Sequence, residues 1–336
     1  MTLILAIESS CDETACAVVK DGKEILSNIV SSQINVHTLY GGVVPEVASR
    51  IHVENISTVI TEALEKATVT MDDIDAIAYT KGPGLIGSLH VGVQAAKTLA
   101  WVYHKPLLPI NHMTGHIYAN AFVSELQFPL MALVVSGGHT ELVWMKNDWN
   151  FEVIGTTQDD AIGEAYDKVA RVLGLGYPGG PVVDKLAKNG KPHYSLPTPK
   201  TSDPYNFSFS GLKTAVLQLK EREERKGNVV SPEDLVYAFQ ETALTTMVSK
   251  TIAAVKEYKP KMIVLAGGVA ANSRLREMMK EEMSKVEGTE LLIPPMWCCT
   301  DNAAMIGASG QIAYNHKCFG NLDAAADPNM LMPGEK

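Results

Sequence analysis

The sequence predicts a duplicated α/β protein, and three observations predict it. An order of three strands followed by helix, strand, helix, strand, helix occurs twice along the chain. Each half carries a turn of small and hydroxyl residues between its first two strands. At 336 residues the chain is too long for one ordinary core. The repeat lies in the pattern, not in residue identity. It implies two similar domains facing a cleft, residues 1–125 and 126–325, with an insertion near 176–228 and a tail over 326–336.

In the first half, Leu3–Glu8, Ala15–Val19 and Glu24–Val30 read as strands, with Asp21-Gly22 as the hairpin turn between the last two. An amphipathic helix follows over Pro45–Lys66, its apolar face formed by Val47, Ile51, Ile56, Val59, Ile60 and Leu64. Strand Ile74–Thr80, a helix near Ser88–His104, strand Leu107–Ile110 and a histidine-bearing helix complete it. In the second half, Leu130–Val135, Thr140–Met145 and Phe151–Thr156 are strands and Asp160–Leu173 is a helix. Gly176 to Asn228, rich in Pro, Lys and Tyr, reads as loops with small extra elements. Within it Tyr177-Pro178-Gly179-Gly180-Pro181, followed by Asp184, forms a rigid loop. Strand Met262–Leu265, helix Ser273–Ser284, strand Leu291–Ile293 and helix Asp301–Tyr314 close the second half.

Composition narrows the function classes. A hydrophobic content of 46% describes a soluble globular protein. No apolar run approaches the roughly 18 residues that span a bilayer, and no membrane association is expected. Met1-Thr-Leu-Ile-Leu-Ala enters a strand directly, without the basic region or cleavage site of a signal peptide. Five irregularly spaced cysteines fit a reducing cytoplasm. The net charge of −9 argues against broad, unaided nucleic-acid binding, which needs a cationic surface.

The chemistry is concentrated in a few places. His112 and His116 stand at i and i+4 in Pro109-Ile-Asn-His112-Met-Thr-Gly-His116, so a helix would aim both imidazoles at one point. The zinc-protease motif of the same spacing needs a Glu after the first His, and Met113 occupies that position. Asp301, in Cys298-Cys299-Thr300-Asp301-Asn302, is the best third ligand, although an acidic residue there is equally an N-cap. Two imidazoles and a carboxylate with open positions suit iron(II) or zinc. Cys298 and Cys299 read as buried packing residues.

The two inter-strand turns are Glu8-Ser9-Ser10-Cys11-Asp12-Glu13-Thr14 and Val134-Val135-Ser136-Gly137-Gly138-His139-Thr140. Either could be a plain hairpin turn. At matching places in a duplicated fold they suggest a nucleotide clamp, because backbone N–H groups cradle phosphate and glycine lets the backbone come close. Gly267-Gly268-Val269-Ala270-Ala271-Asn272 follows an apolar strand and opens a helix, which suits a phosphate or adenosine contact. Asn272 serves there as a ribose or base contact or as a cap. Asp160, Glu164, Asp167 and Arg171 share one helix face, with Arg171 paired to Asp167 or Glu164. Asp167 could also meet a ligand hydroxyl or amine. Asp12 and Glu13, two carboxylates beside a phosphate site, are metal or base candidates.

These motifs, in this order, resemble the TsaD/Gcp family of tRNA threonylcarbamoyladenosine transferases, which have the actin-like ATPase (ASKHA) fold. The resemblance rests on Ile7-Glu8-Ser-Ser-Cys-Asp12-Glu13-Thr14, Gly41-Gly-Val-Val-Pro-Glu46, Lys81-Gly-Pro-Gly-Leu85, His112-Met-Thr-Gly-His116 and Val135-Ser-Gly-Gly-His139. It also rests on Gly163-Glu-Ala-Tyr-Asp167-Lys168, Tyr177-Pro-Gly-Gly-Pro181, Phe207-Ser-Phe-Ser-Gly-Leu-Lys213 and Gly267-Gly-Val-Ala-Ala-Asn272. The Ser-Phe-Ser-Gly-Leu-Lys segment and the length look like the bacterial branch. The resemblance implies transfer of the threonylcarbamoyl group of threonylcarbamoyl-AMP to N6 of the adenosine beside the anticodon of tRNAs reading codons that begin with A. It puts the metal, iron(II) favoured with zinc as the alternative, on His112, His116 and Asp301. Ligand contacts fall on Val134, Val135, Ser136, Gly137, Gly138, Asp167, Gly180, Asp184 and Asn272, with His139 adjoining. ATP or AMP is expected in the cleft, Asp12 or Glu13 as general base, and TsaB and TsaE as protein partners. The competing expectations are an actin-fold small-molecule kinase and an ATP-switched scaffold.

Overall fold

A computed structural model describes residues Met1–Pro333. In chain order the strands are β1 (Leu3–Glu8), β2 (Glu13–Lys20), β3 (Glu24–Ser32), β4 (Ala76–Gly82), β5 (Leu107–Asn111), β6 (Leu130–Val135), β7 (Thr140–Asn147), β8 (Asn150–Thr156), β9 (Met262–Ala266) and β10 (Glu290–Leu292). The helices are α1 (Ile34–Tyr40), α2 (Pro45–Ala67), α3 (Ile86–Tyr103), α4 (His112–Tyr118), α5 (Ile162–Val172), α6 (Gly179–Ala187), α7 (Ser210–Arg225), α8 (Pro232–Tyr258), α9 (Ser273–Met283) and α10 (Ala303–Asn315).

The strands form two five-stranded sheets of the same topology, β3-β2-β1-β4-β5 and β8-β7-β6-β9-β10. In each, the first three strands are a meander and the fourth and fifth join in parallel, so a helix must cross over before each of them. The expected duplication is therefore present in the pairing itself. At the β2–β3 turn, Asp21 and Gly22 both have positive φ, 51° and 67°, the conformation a two-residue hairpin requires.

The chain divides into two compact units. The first comprises Met1–Leu126, Lys146–Phe151 and the chain from Pro294 onward; the second comprises Gln127–Met145 and Glu152–Ile293. In the first unit β1 is buried along its whole length, which explains its unbroken apolar run. Leu3, Leu5 and Ile7 point to the face covered by α2 and α3, where Val59, Ala63, Val93 and Ala96 meet them. Ile4 and Ala6, with Ala15, Ala17, Ala76 and Ala78, form the opposite face under α10.

That second face is lined by alanines, and α10 answers with glycines. A Cβ on Gly307 would lie 2.5 Å from Val19 Cγ2, and one on Gly310 would lie 2.8 Å from Ala78 Cβ. On the other side of α10, a Cβ on Gly115 of α4 would meet Ile306 Cδ1 at 2.9 Å. The missing side chains let α10 lie tightly against both the sheet and α4. The segment just before α10, Asp301 and Asn302, is thereby fixed beside α4.

Three expectations are corrected. The segment near 176–228 holds more than small extra elements: beside its loops it contains α6 and the 16-residue α7. Lys, Glu, Leu and Arg, all good helix formers, dominate α7. Its first turn is capped from far along the chain, by Asp159, whose carboxylate accepts from Phe209 N–H at 2.7 Å and Ser210 N–H at 3.1 Å. The Gly179-Gly180-Pro181 run is the first turn of α6, a position where Pro is tolerated because the N–H there has no helical partner. In the acidic helix, Asp160 precedes α5 instead of lying on it, and Lys168 pairs with Asp160 and Glu164, at 2.7 and 2.9 Å; the Arg171 charge acts on Asp167 as expected, favouring its carboxylate.

The close packing of α10 gives a direct test. Gly307→Val forces a branched side chain into Val19 and should lower the unfolding free energy by about 1–3 kcal/mol, read from denaturant melts. Unchanged stability would show that α10 is not held this tightly.

Candidate metal centre and glycine turns

In the first unit the chemistry gathers at the carboxyl ends of the parallel strands, where α/β sheets hold their ligands. β5 runs straight into α4, and Asn111 makes the transition. Its side-chain oxygen accepts from Met113 N–H at 2.8 Å and Thr114 N–H at 3.3 Å, an N-cap that starts the helix on His112. His112 and His116 then stack one turn apart, ring centroids 4.7 Å apart and planes nearly perpendicular. Asp301 Oδ1 lies 3.1 Å from His116 Nε2 and 3.5 Å from His112 Nε2. The alternative cap role of Asp301 falls to its neighbour: Asn302 accepts from Met305 N–H at 3.1 Å.

These residues fit a metal. Ligand atoms of His112, His116 and Asp301 all lie within 4.8 Å of one another. Tetrahedral bonds of about 2.0–2.1 Å put neighbouring donor atoms roughly 3.3 Å apart, close to the two measured separations. His116 is 1% exposed, its Nε2 faces the Asp301 carboxylate and its Nδ1 has no hydrogen-bond partner. A cation between Nε2 and that carboxylate would be held by both. Cys298 and Cys299 are buried as expected, with Cys298 in the core under α10. Among the described residues all five cysteines are free.

The cluster is also paired through Glu8, fully buried at the end of β1. Its carboxylate accepts from His112 Nδ1 at 2.9 Å, Thr80 Oγ1 at 2.6 Å and Ser10 N–H at 2.5 Å. Burial raises the Glu8 carboxyl, but His112 overrides it and holds it below the usual range. Burial works against charge on His112, and the carboxylates of Glu8 and Asp301 reverse this and hold it well above the usual imidazole range. Asp301 is raised by burial and then pulled far down by His112 and His116. Sequence reasoning missed Glu8, although its signal was present: one carboxylate closing an otherwise apolar strand.

Asp12 and Glu13 lie in the β1–β2 turn. His52, fully buried on α2, pins that turn by donating from Nε2 to the Cys11 carbonyl at 2.9 Å and accepting from Thr14 Oγ1 at 2.7 Å. Burial, then the carboxylates of Asp301 and Asp12, push Glu13 up to about 9. A cation at the Asp301 site would offset the second of these causes.

In the second unit the same strand ends carry glycine turns. Val134 and Val135 are the buried end of β6. Ser136 N–H donates to the His139 carbonyl at 2.8 Å, and His139 N–H donates to Ser136 Oγ at 3.0 Å, closing a tight turn. Two other glycines support it. A Cβ on Gly163 would lie 2.6 Å from the Ser136 carbonyl oxygen, and one on Gly267 (φ 88°) would lie 2.4 Å from that of Val135. By contrast, a Cβ on Gly137, Gly138, Gly180 or Gly268 would meet no protein atom within 4 Å. The first pair of glycines is required by packing; the second group leaves backbone open to a ligand.

The remaining predicted contacts anchor these turns. Asp167 accepts from Gly179 N–H at 2.7 Å, at the start of α6, and burial raises its carboxyl. Asp184 accepts from Ser273 N–H at 3.1 Å and Ser273 Oγ at 3.0 Å, at the start of α9. Asn272 is thoroughly engaged: its oxygen accepts from Leu275 N–H at 2.9 Å, and its amide donates to Gln240 at 3.0 Å and Tyr166 at 3.3 Å. It caps α9 and fixes the Gly267 turn. Gln240 belongs to α8, an element that sequence reasoning did not place.

Two five-stranded sheets of one topology, with a His-His-carboxylate group in one unit and open glycine turns in the other, define an actin-like α/β protein. Comparison with known proteins gives the particular kind. The family model for "TsaD: tRNA N6-adenosine threonylcarbamoyltransferase" matches residues 24–308. The tRNA N6-adenosine threonylcarbamoyltransferase of Bacillus subtilis is 55% identical over 328 residues, covering 97% of this chain and 95% of that protein. The one from Bacillus cereus is 54% identical over 330 residues, covering 98% and 96%. A crystal structure of HypF from T. kodakarensis matches the fold with a TM-score of 0.65 at 14% identity, covering 94% of this chain and 48% of HypF. The chain belongs to the TsaD family of tRNA N6-adenosine threonylcarbamoyltransferases.

Adjacent substitutions separate ligand from cap. Asp301→Asn should abolish stoichiometric metal binding with little loss of stability. Asn302→Ala should retain metal and cost about 1 kcal/mol through the lost cap. Metal analysis beside thermal melts reads both, and full metal content in Asp301→Asn would exclude Asp301 as a ligand.

Proposed function

We propose that this transferase moves the threonylcarbamoyl group of threonylcarbamoyl-AMP to N6 of the adenosine beside the anticodon in tRNAs reading codons that begin with A. The observation that carries the reading is the pair of buried histidines, His112 and His116, gathered with the half-buried Asp301 in a chain of this family. Those three residues would hold the metal, iron(II) by preference or zinc, and it would supply Lewis-acid polarisation of the acyl carbonyl.

The protein's own residues account for the rest. Adenine nucleotide would lie on the open backbone of Ser136, Gly137 and Gly138, beside His139, and of Gly180 and Gly268. N–H groups there stabilise phosphate charge as AMP departs. Asp167, Asp184 and Asn272 keep those turns in place and would contact the ligand held there. The adenosine amine is a weak nucleophile, so positioning dominates. Asp12 or Glu13, in the turn beside the Asp301 site, would assist as general base. A kinase on this fold would use the glycine turns but would give His112, His116 and Asp301 nothing to do.

The chain is acidic, at −9, so its partners must help it hold tRNA. A groove of about 560 Å³ between α2 and α3, lined by Val53, Ile56, Ile60, Val91 and Leu99, offers apolar surface to TsaB. Exposed Trp101 and Val102 continue α3 beyond it. TsaE would act as the ATPase that resets the complex. Among the described residues no helix is long and apolar enough to cross a membrane, and a cytoplasmic location fits the free thiols.

Nucleoside analysis of tRNA incubated with threonylcarbamoyl-AMP, this chain, TsaB and TsaE should show threonylcarbamoyladenosine. The chain alone should bind tRNA weakly at physiological salt. Tight nucleotide binding without any modified nucleoside would favour an ATP-switched scaffold. Equal multiple turnover by the chain alone would remove the partner requirement.

Gly137→Val and Gly268→Val place a Cβ where no protein atom lies within 4 Å, so both variants should fold. They should weaken AMP or ATP binding by tenfold or more, on the order of 1.4 kcal/mol, in calorimetric titrations. Unchanged affinity in both would place the nucleotide elsewhere.

A further inference from the structure

The two histidines are held differently. His112 and His116 present Nε2 to the same Asp301 oxygen, but only His112 has a partner behind it. His112 Nδ1 faces Glu8 Oε2 at 2.9 Å and Ser10 Oγ at 3.2 Å. Glu8 in turn is fixed from two further directions, by the Thr80 hydroxyl and the Ser10 amide, and is inaccessible to solvent. Those three elements are β1, β4 and the turn that follows β1, so the sheet itself orients the carboxylate.

We infer that Glu8 is the positioning residue of the metal centre: its carboxylate accepts a hydrogen bond from the Nδ1–H of His112 and thereby commits Nε2, with its lone pair, to the metal. This rests on the metal reading above and deepens it. A carboxylate behind a ligating imidazole fixes the tautomer and ring orientation and makes the ligand nitrogen a better donor. His116 gains no such help, so the two imidazoles are unequal ligands, His112 the anchored one. Thr80 acts one step further out by holding Glu8 Oε2.

The test uses the intact chain, with Zn²⁺ affinity read by chelator competition and coordination read by the d–d absorption of Co²⁺. Glu8→Gln keeps the shape and removes the charge. It should weaken Zn²⁺ binding about 10–100-fold and alter the Co²⁺ spectrum. A purely structural role would lower the melting temperature while leaving the affinity and spectrum of the folded protein alone, and that result overturns the inference. Should Glu8→Gln fail to fold, Thr80→Val carries the test: a severalfold loss of affinity with a shifted spectrum supports Glu8, and wild-type behaviour overturns it. His116→Ala distinguishes the two levels. If it binds Zn²⁺ as the unaltered chain does, the metal reading itself has failed; if only Glu8→Gln is indifferent, the metal stands and the role of Glu8 falls.

Discussion

Two imidazoles and two carboxylates lie together in the first unit, mostly removed from water. Isolated buried charges of this kind are prohibitive, and they persist only when paired and hydrogen-bonded. The fold meets that constraint by bringing three separate segments to one point. β1 delivers Glu8, the β5–α4 junction delivers both histidines, and the segment ahead of α10 delivers Asp301. Chain distance between these segments is large, so only the sheet order and the close seating of α10 can hold them in register. The alanine-lined sheet face and the glycines of α10 are therefore part of the site, although none of them touches a ligand.

The two units share a topology and differ in what stands at the strand ends. In the first, the strand ends carry ionisable groups; in the second, glycine turns with exposed backbone. One scaffold thus carries an ionisable cluster in one unit and open glycine turns in the other, and the division is made by the residues after each strand and not by the strands themselves. The glycines of the second unit divide in the same spirit. Gly163 and Gly267 are demanded by contacts with the Ser136 turn, whereas Gly137, Gly138, Gly180 and Gly268 leave space that the protein does not fill.

Much of this was legible in the sequence because it was local. Leu3–Glu8 and Leu130–Val135 read as strands with the observed bounds, since unbroken apolar runs ending in a turn have few other structures. The His112–His116 spacing was equally plain. What escaped was non-local. α8 is 27 residues long and buried on most sides, so it lacks the two-faced period that marks a surface helix. α7 takes its cap from Asp159, some fifty residues earlier, so no cap signal stands at its own start. Asn272 reads as a ligand contact or a cap, and only its bonds to Tyr166 and Gln240 show how fully its side chain is used. Glu8 was visible as an oddity, but its partner His112 lies over a hundred residues away.

The central claim is that one cation sits among His112, His116 and Asp301. Anomalous diffraction at the absorption edge of the bound metal, from crystals of the loaded protein, tests it most directly. The account predicts one strong peak about 2.0–2.2 Å from the two Nε2 atoms and an Asp301 oxygen. A peak at the Cys298–Cys299 pair, or none at the histidines in protein that carries stoichiometric metal, would contradict it.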